Sequence, residues 1–243
     1  MSKRFEEVSL ARLHAYSYIV MGHLALFYLI YCQEWKLLIV SYIMQFLIVH
    51  LGISMTYHRA VSHNSVTLPK WLEFIGLVFG GLSFQGSAIS WCATHRQHHL
   101  KQGTIDDPHS PKHLGSWYVH TFAYAFSKVD FRSVVRLLRT HHYSWHRYYY
   151  YIFPPILLLS VLLLPLNIAL CLFFAPIALT FLTVNFINTW THDWDNDVPV
   201  NRPIVWLFLG GEAWHEVHHS RPIQLRLHKY DFVGYFLEKL NQK

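Results

Sequence analysis

The chain has 243 residues, of which 53% are hydrophobic and only 14% charged, against a charged share of about 25% in ordinary soluble domains. Mean hydropathy is positive, at +0.20, which argues against a soluble globular domain and for a lipid-embedded one. The net charge of +6 comes from basic residues scattered beside apolar runs, not from a tract. Anionic headgroups or an anionic substrate carrier fit that pattern, and a nucleic-acid partner does not.

The first dozen residues are polar and charged, with no small-residue cleavage site behind a short apolar core, and read as a tail rather than a signal peptide. Residues 15–32 and 37–57 each carry about the 20 apolar residues that a bilayer crossing needs. His23 and His50 fall inside these spans and read as hydrogen-bonded interior residues. Residues 72–91 are apolar but interrupted by glycines and serines, and the expectation there is one helix lying at the interface. Residues 94–147 are polar and rich in histidine. The tyrosine run at 148–151 is the kind of collar found where a span meets headgroups.

Residues 152–190 form one apolar block too long for a single crossing. Pro165-Leu166-Asn167 divides it into spans at 152–164 and 167–190. The last fifty residues are polar again and close on an amphipathic helix from Tyr230 to Leu237. The expected fold is therefore an all-α integral membrane protein: one domain over residues 1–243, with four transmembrane helices. A cytosolic helical cap, residues 58–147 and 191–243, carries the histidine clusters. Four crossings leave Lys36 alone on one face and the other 19 of the 20 basic residues on the cytoplasmic face. A fifth crossing at 72–91 would part the histidines.

Nineteen histidines are the compositional anomaly. His95, His98 and His99 are spaced i, i+3, i+4 and leave one side of a helix, and His215, His218 and His219 repeat the spacing. His58 and His63 form a looser pair, five apart, able to share a site only if the helix ends between them. His192 follows the last span. Neutral imidazole suits iron, zinc, copper and nickel, and nine histidines are too many for one ion and about right for two. The three cysteines, Cys32, Cys92 and Cys171, are too few and scattered for a thiolate site or a disulfide framework. His141, His142 and His146 lie in a basic stretch and read as a solvated face, while His109 is left open. Glu216 also completes His-Glu-x-x-His, the zinc protease helix. That reading leaves the upstream histidines unused.

In its ordered clusters the chain resembles the membrane fatty acyl desaturases, in particular the acyl-CoA delta-9 type, over nearly its whole length. The family's His-x-x-x-x-His box matches His58 and His63, and its His-Arg-x-His-His box matches His95, His98 and His99. The trailing Asp-Asp-Pro-His-Ser-Pro, 106–111, is similar to the family's continuation. The Asn-x-x-x-His element matches Asn188 and His192. The third box, behind Gly-Glu-x-Trp, matches His215, His218 and His219. One departure is Glu216-Val217, where members often carry asparagine, and it implies changed surroundings for the ligands.

The resemblance implies two iron ions held by these nine histidines, with Asn188 reaching one through water, and Gln85 and Trp91 shaping a bent acyl channel. It implies an O2-dependent oxidoreductase that inserts a cis double bond into a saturated acyl chain linked to CoA, a carrier protein or a lipid. The alternative on the same scaffold is a hydroxylase or ketolase. A length of 243 residues leaves no room for a fused electron carrier, so a separate donor is expected, ferredoxin or cytochrome b5 with its reductase. Lys128, Arg132, Arg136 and Arg139 are candidates for holding an anionic carrier such as CoA, and a lipid-facing basic helix accounts for them equally well.

Overall fold

The computed structural model describes residues 9–241. In chain order come α1 (Ser9–Tyr31), α2 (Trp35–Leu47) running on into a π-wound segment (Ile48–Ser62), α3 (Lys70–Leu82) and α4 (Ala88–Lys101). Three short helices follow: α5 (Pro111–Leu114), α6 (Ser116–Thr121) and α7 (Ala123–Phe126). Then come α8 (His142–Leu163), α9 (Leu166–Ala169), α10 (Ala175–Trp190), α11 (Trp206–Leu209), α12 (His215–Ser220) and α13 (Phe232–Asn241). Isolated bridges pair His192 with Pro199 and Asn201 with Trp214.

Among the described residues, three helical stretches are long and apolar enough to cross a membrane: Arg12–Tyr31, Trp35–Ser62 and Leu166–Trp190. Most of the N-terminal tail lies outside the described residues, and α1 already begins at Ser9. The apolar segment 152–164 is the second half of α8, which starts ten residues earlier than its hydropathy suggests, at His142. In the tyrosine run, helical periodicity turns Tyr148 and Tyr151 outward and buries Tyr149. Pro165 ends the helix as expected, because its ring permits no continuation of the preceding turn.

Inside the bundle, Tyr18, Ile19, Phe174, Ile177 and Phe181 pack with Phe153 and Leu157 of α8 in one apolar cluster. Polar cross-links pin the spans: Ser41 Oγ donates to the Cys171 carbonyl at 3.0 Å and Gln45 Nε2 to Thr183 Oγ1 at 3.0 Å. Such bonds replace the hydrophobic force that lipid cannot supply between helices. His23 bonds the Ile19 carbonyl at 2.8 Å, as expected. His50 differs. Both its ring nitrogens are buried without a hydrogen-bond partner among the described residues, and the ring packs between Phe46 and Phe232.

Two features, the first of them a correction to the sequence reading, together set the site. The single helix expected over 72–91 is two helices, broken where Phe84 and Gly86 take φ of +54° and +86°. Ser87 then opens α4, its Oγ accepting from the Ser90 amide. At 13 residues, α3 is about 20 Å long, short of a bilayer core of about 30 Å. It lies backbone to backbone on the π-wound segment, so close that a Cβ on Gly52 would meet Gly80 N at 2.4 Å.

The second feature concerns His58 and His63. As the sequence reading required, the helix ends between them, at Ser62, with His63 as its C-cap residue. In π winding each amide bonds five residues back, and the His63 amide bonds the His58 carbonyl at 3.0 Å. Residues five apart thus share a face, and the two rings come within 4.9 Å, centre to centre.

Candidate metal centre

Four segments deliver the histidines. The π-wound exit of the second span supplies His58 and His63, α4 supplies His95, His98 and His99, and α12 supplies His215, His218 and His219. His192 follows α10, in a loop fixed by Val200 N–H bonding the Thr191 carbonyl at 2.8 Å.

The nine rings converge as two sets. In the first, the Nε2 atoms of His58 and His218 are 3.0 Å apart, those of His63 and His95 2.8 Å, those of His99 and His95 3.1 Å, and those of His99 and His218 2.9 Å. In the second, His192 and His215 are 3.1 Å apart, His215 and His219 3.0 Å, and His98 and His219 3.3 Å. The rings of His99 and His219 stack 4.2 Å apart and join the sets.

These separations fit a bound ion. Two nitrogens at about 2.1 Å from one metal stand about 3.0 Å apart at a right angle and about 3.4 Å apart at the tetrahedral angle. The protonation state fits as well. Burial, and then the neighbouring imidazoles, hold His95, His98, His215 and His218 well below the usual histidine range. The same causes lower His99 to about 3. Neutral rings keep the lone pairs a metal needs.

Behind the rings stand three buried carboxylates that the sequence reading did not assign. Asp107 lies 2.9 Å from His98 Nδ1, Glu212 3.1 Å from His58 Nδ1, and Asp197 3.2 Å from His192 Nδ1. Asp107 and Glu212 bond their rings and orient them with Nε2 toward the centre, and Asp197 lies against the Nδ1 edge of His192. The 106–111 motif thereby acquires a reason. Its Asp107 holds His98, and its Ser110 hydroxyl donates to Asp197, which lies 3.2 Å from His192 Nδ1.

Glu212 shares its Oε1 with Arg59 Nη1, at 2.9 Å, and Arg59 Nη2 reaches Asp231 at 2.9 Å. Burial pushes the Glu212 carboxyl up, yet His58, Arg59 and Ser54 outweigh it and hold the group well below the usual range. The signals present in the sequence were position alone: Asp107 follows the second box and Glu212 precedes the third. Asp197, Arg59 and Asp231 carry no local signal.

Two adjoining cavities border the first set, with about 560 Å³ and 410 Å³ of empty space. Both are lined by Trp91, His95, His109, Val184 and Asn188. Gln85 lines the larger one, its Nε2 buried without a partner among the described residues. Trp91 stacks on His95 at 4.8 Å. His109, left open by sequence, is buried against His98, ring centres 4.2 Å apart.

Other residues lie apart. Glu216 is exposed and accepts from Asn201 Nδ2 at 2.8 Å, so the Glu216-Val217 departure does not bring a carboxylate onto the rings. His142 and His146 are not a solvated face. His142 is buried and meets Glu73 at 3.2 Å, and His146 Nδ1 lies 2.7 Å from Ser87 Oγ. Arg132 is taken up by an exposed pair with Asp130.

No family model matches the chain. Delta-9 acyl-lipid desaturase 2 of Arabidopsis thaliana is 33% identical over 196 residues, 70% of this chain and 59% of that protein. The sn-2 palmitoyl-lipid 9-desaturase of Nostoc sp. is 30% identical over 204 residues, 78% of this chain and 71% of the relative. The chain belongs to the fatty acyl desaturase family. An acyl-CoA C20 Delta5-desaturase of Anemone leveillei is 28% identical over 200 residues, 77% of this chain and 64% of that desaturase. The chain spans 59% to 71% of the length of these desaturases.

Proposed function

We propose that this desaturase-family protein is an O2-dependent di-iron enzyme that removes two hydrogens from adjacent carbons of a saturated acyl chain and leaves a cis double bond. The observation that carries the reading is the convergence of nine imidazoles into two sets beside a cavity. The first set is His58, His63, His95, His99 and His218; the second is His98, His192, His215 and His219, with Asn188 approaching through water.

An unactivated methylene has no acidic proton and no leaving group, so side-chain acid/base chemistry cannot open it. Bound iron supplies the oxidising power, drawing on O2 and two external electrons. The protein's own residues do the placing. Trp91, stacked on His95, forms the wall that brings a methylene pair up to the first set, and Gln85 offers an amide N–H farther along the larger cavity. The buried walls exclude water from the reacting segment. Position along the acyl chain then follows from how far it enters, a proximity effect.

The proposal includes four crossings, the second half of α8 completing the three long apolar stretches, with the histidines and both termini on the cytoplasmic face. It also includes a separate electron donor, ferredoxin or cytochrome b5 with a reductase, and an acyl chain carried on CoA, carrier protein or lipid. The zinc protease reading has no support in the position of Glu216, whose carboxylate faces Asn201. The test is to express the chain with a reducing partner and profile cellular fatty acids. A new double bond supports the proposal. An added oxygen atom would assign hydroxylation on the same scaffold, and an unchanged profile with iron bound would reject oxidation of acyl chains.

A further inference from the structure

Resting on the reading that both sets hold iron, a second question is whether the two ions are equivalent, and the fixed charges around them are not. In the second set two of the four rings back onto carboxylates. His98 Nδ1 lies 3.0 and 2.9 Å from the two Asp107 oxygens, and His192 Nδ1 lies 3.2 Å from Asp197 Oδ1. Both carboxylates are buried. Their other side-chain bonds come from the neutral His109 amide and the Ser110 hydroxyl, and among the described residues neither is bonded to an arginine or lysine.

The first set is different. Of its five rings, only His58 is backed by a carboxylate in this way, and Glu212 Oε1 at once accepts from Arg59 at 2.9 Å. Arg59 in turn pairs with Asp231. Arg96 donates to the carbonyls of Val61 and Ser62 at 3.1 and 2.8 Å, immediately before His63. Around the first set, then, two anions meet two guanidinium cations. Around the second, two anions stand without one.

A carboxylate beside Nδ1 makes the imidazole a stronger donor and favours the more highly charged state of the ion it binds. Both ligand sets are otherwise uncharged, so the surrounding charge decides. We propose that the two positions are electronically unequal: the ion held by His98, His192, His215 and His219 is oxidised first, and Asp107 and Asp197 are the positioning residues that make it so. The step is a one-electron loss, Fe(II) to Fe(III), with the electron passing to an external mediator and no protein ligand exchanged.

The test uses the full chain loaded anaerobically with 57Fe(II) and followed by Mössbauer spectroscopy during mediated oxidation. The expected result is two steps at separate potentials, with Asp197→Asn moving the earlier step to higher potential and leaving the later one in place. Asp197→Glu restores the wild-type order. In His63→Ala, which disables the first set, the remaining ion should show a lower midpoint than the remaining ion in His192→Ala. A single two-ion step, equal midpoints, or an Asp197→Asn shift confined to the later step would overturn the inequality while leaving the di-iron reading intact. A wild-type chain that binds no iron overturns both.

Discussion

Arg59 and Glu212, 153 positions apart in the chain, meet at 2.9 Å with their side chains 2% and 7% exposed. The contact ties the exit of the second span to the residue that precedes the third histidine box, and Arg59 carries the tie on to Asp231 ahead of α13. Removing one partner of such a buried pair strands a charge, at a cost of about 3–5 kcal/mol. Arg59→Met should therefore lower the melting temperature sharply in detergent or nanodiscs, even in chelated protein. An unchanged melt would mean the network contributes nothing to holding the fold.

Acid should weaken the metal-free protein. Burial holds His99 and His109 near 3 in the fold, whereas an unfolded histidine titrates near 6.5. Below about pH 6.5 the unfolded chain takes up protons that the folded chain refuses, so stability falls as pH drops from there toward 3. Melting temperatures of chelated protein should be level between pH 7 and 8 and decline below 6.5. A rise on acidification would contradict the buried, neutral state of these rings.

His98 and Glu216 should behave in opposite ways. His98→Ala removes a ring that belongs to the second set and is held by Asp107, and desaturation should vanish along with about half of the bound iron. Glu216→Gln alters an exposed side chain bonded to Asn201 and should retain most activity. Paired iron analysis and fatty acid profiles check both, and an inactive glutamine variant would return the protease-type role to consideration.

On the proposed function, Trp91 is the wall against which an acyl chain meets the first set. Trp91→Ala merges the space beside His95 with the two cavities it lines and frees the chain to slide. A misplacement of about 1 Å costs on the order of 10²-fold in rate. Expected are a rate loss of that order and a mixture of double-bond positions, read by mass spectrometry of derivatised products. A single unchanged position would remove Trp91 from the channel wall.

Sequence alone picked out the nine histidines that the fold brings together. Helical spacing is local, so i, i+3, i+4 boxes declare their shared face without any knowledge of the fold, and apolar length declares a span in the same way. Tertiary structure decided what spacing cannot encode. The partition of His98 from His95 and His99, neighbours on one helix, depends on how α4 crosses α12. The meeting of His58 with His63 depends on a π-wound exit that ends at Ser62, which the spacing of the two histidines does not announce. The carboxylates behind the rings come from loops and distant turns, because a buried charge is satisfied by whatever the packing brings within 3 Å, and nothing in the intervening chain records that distance.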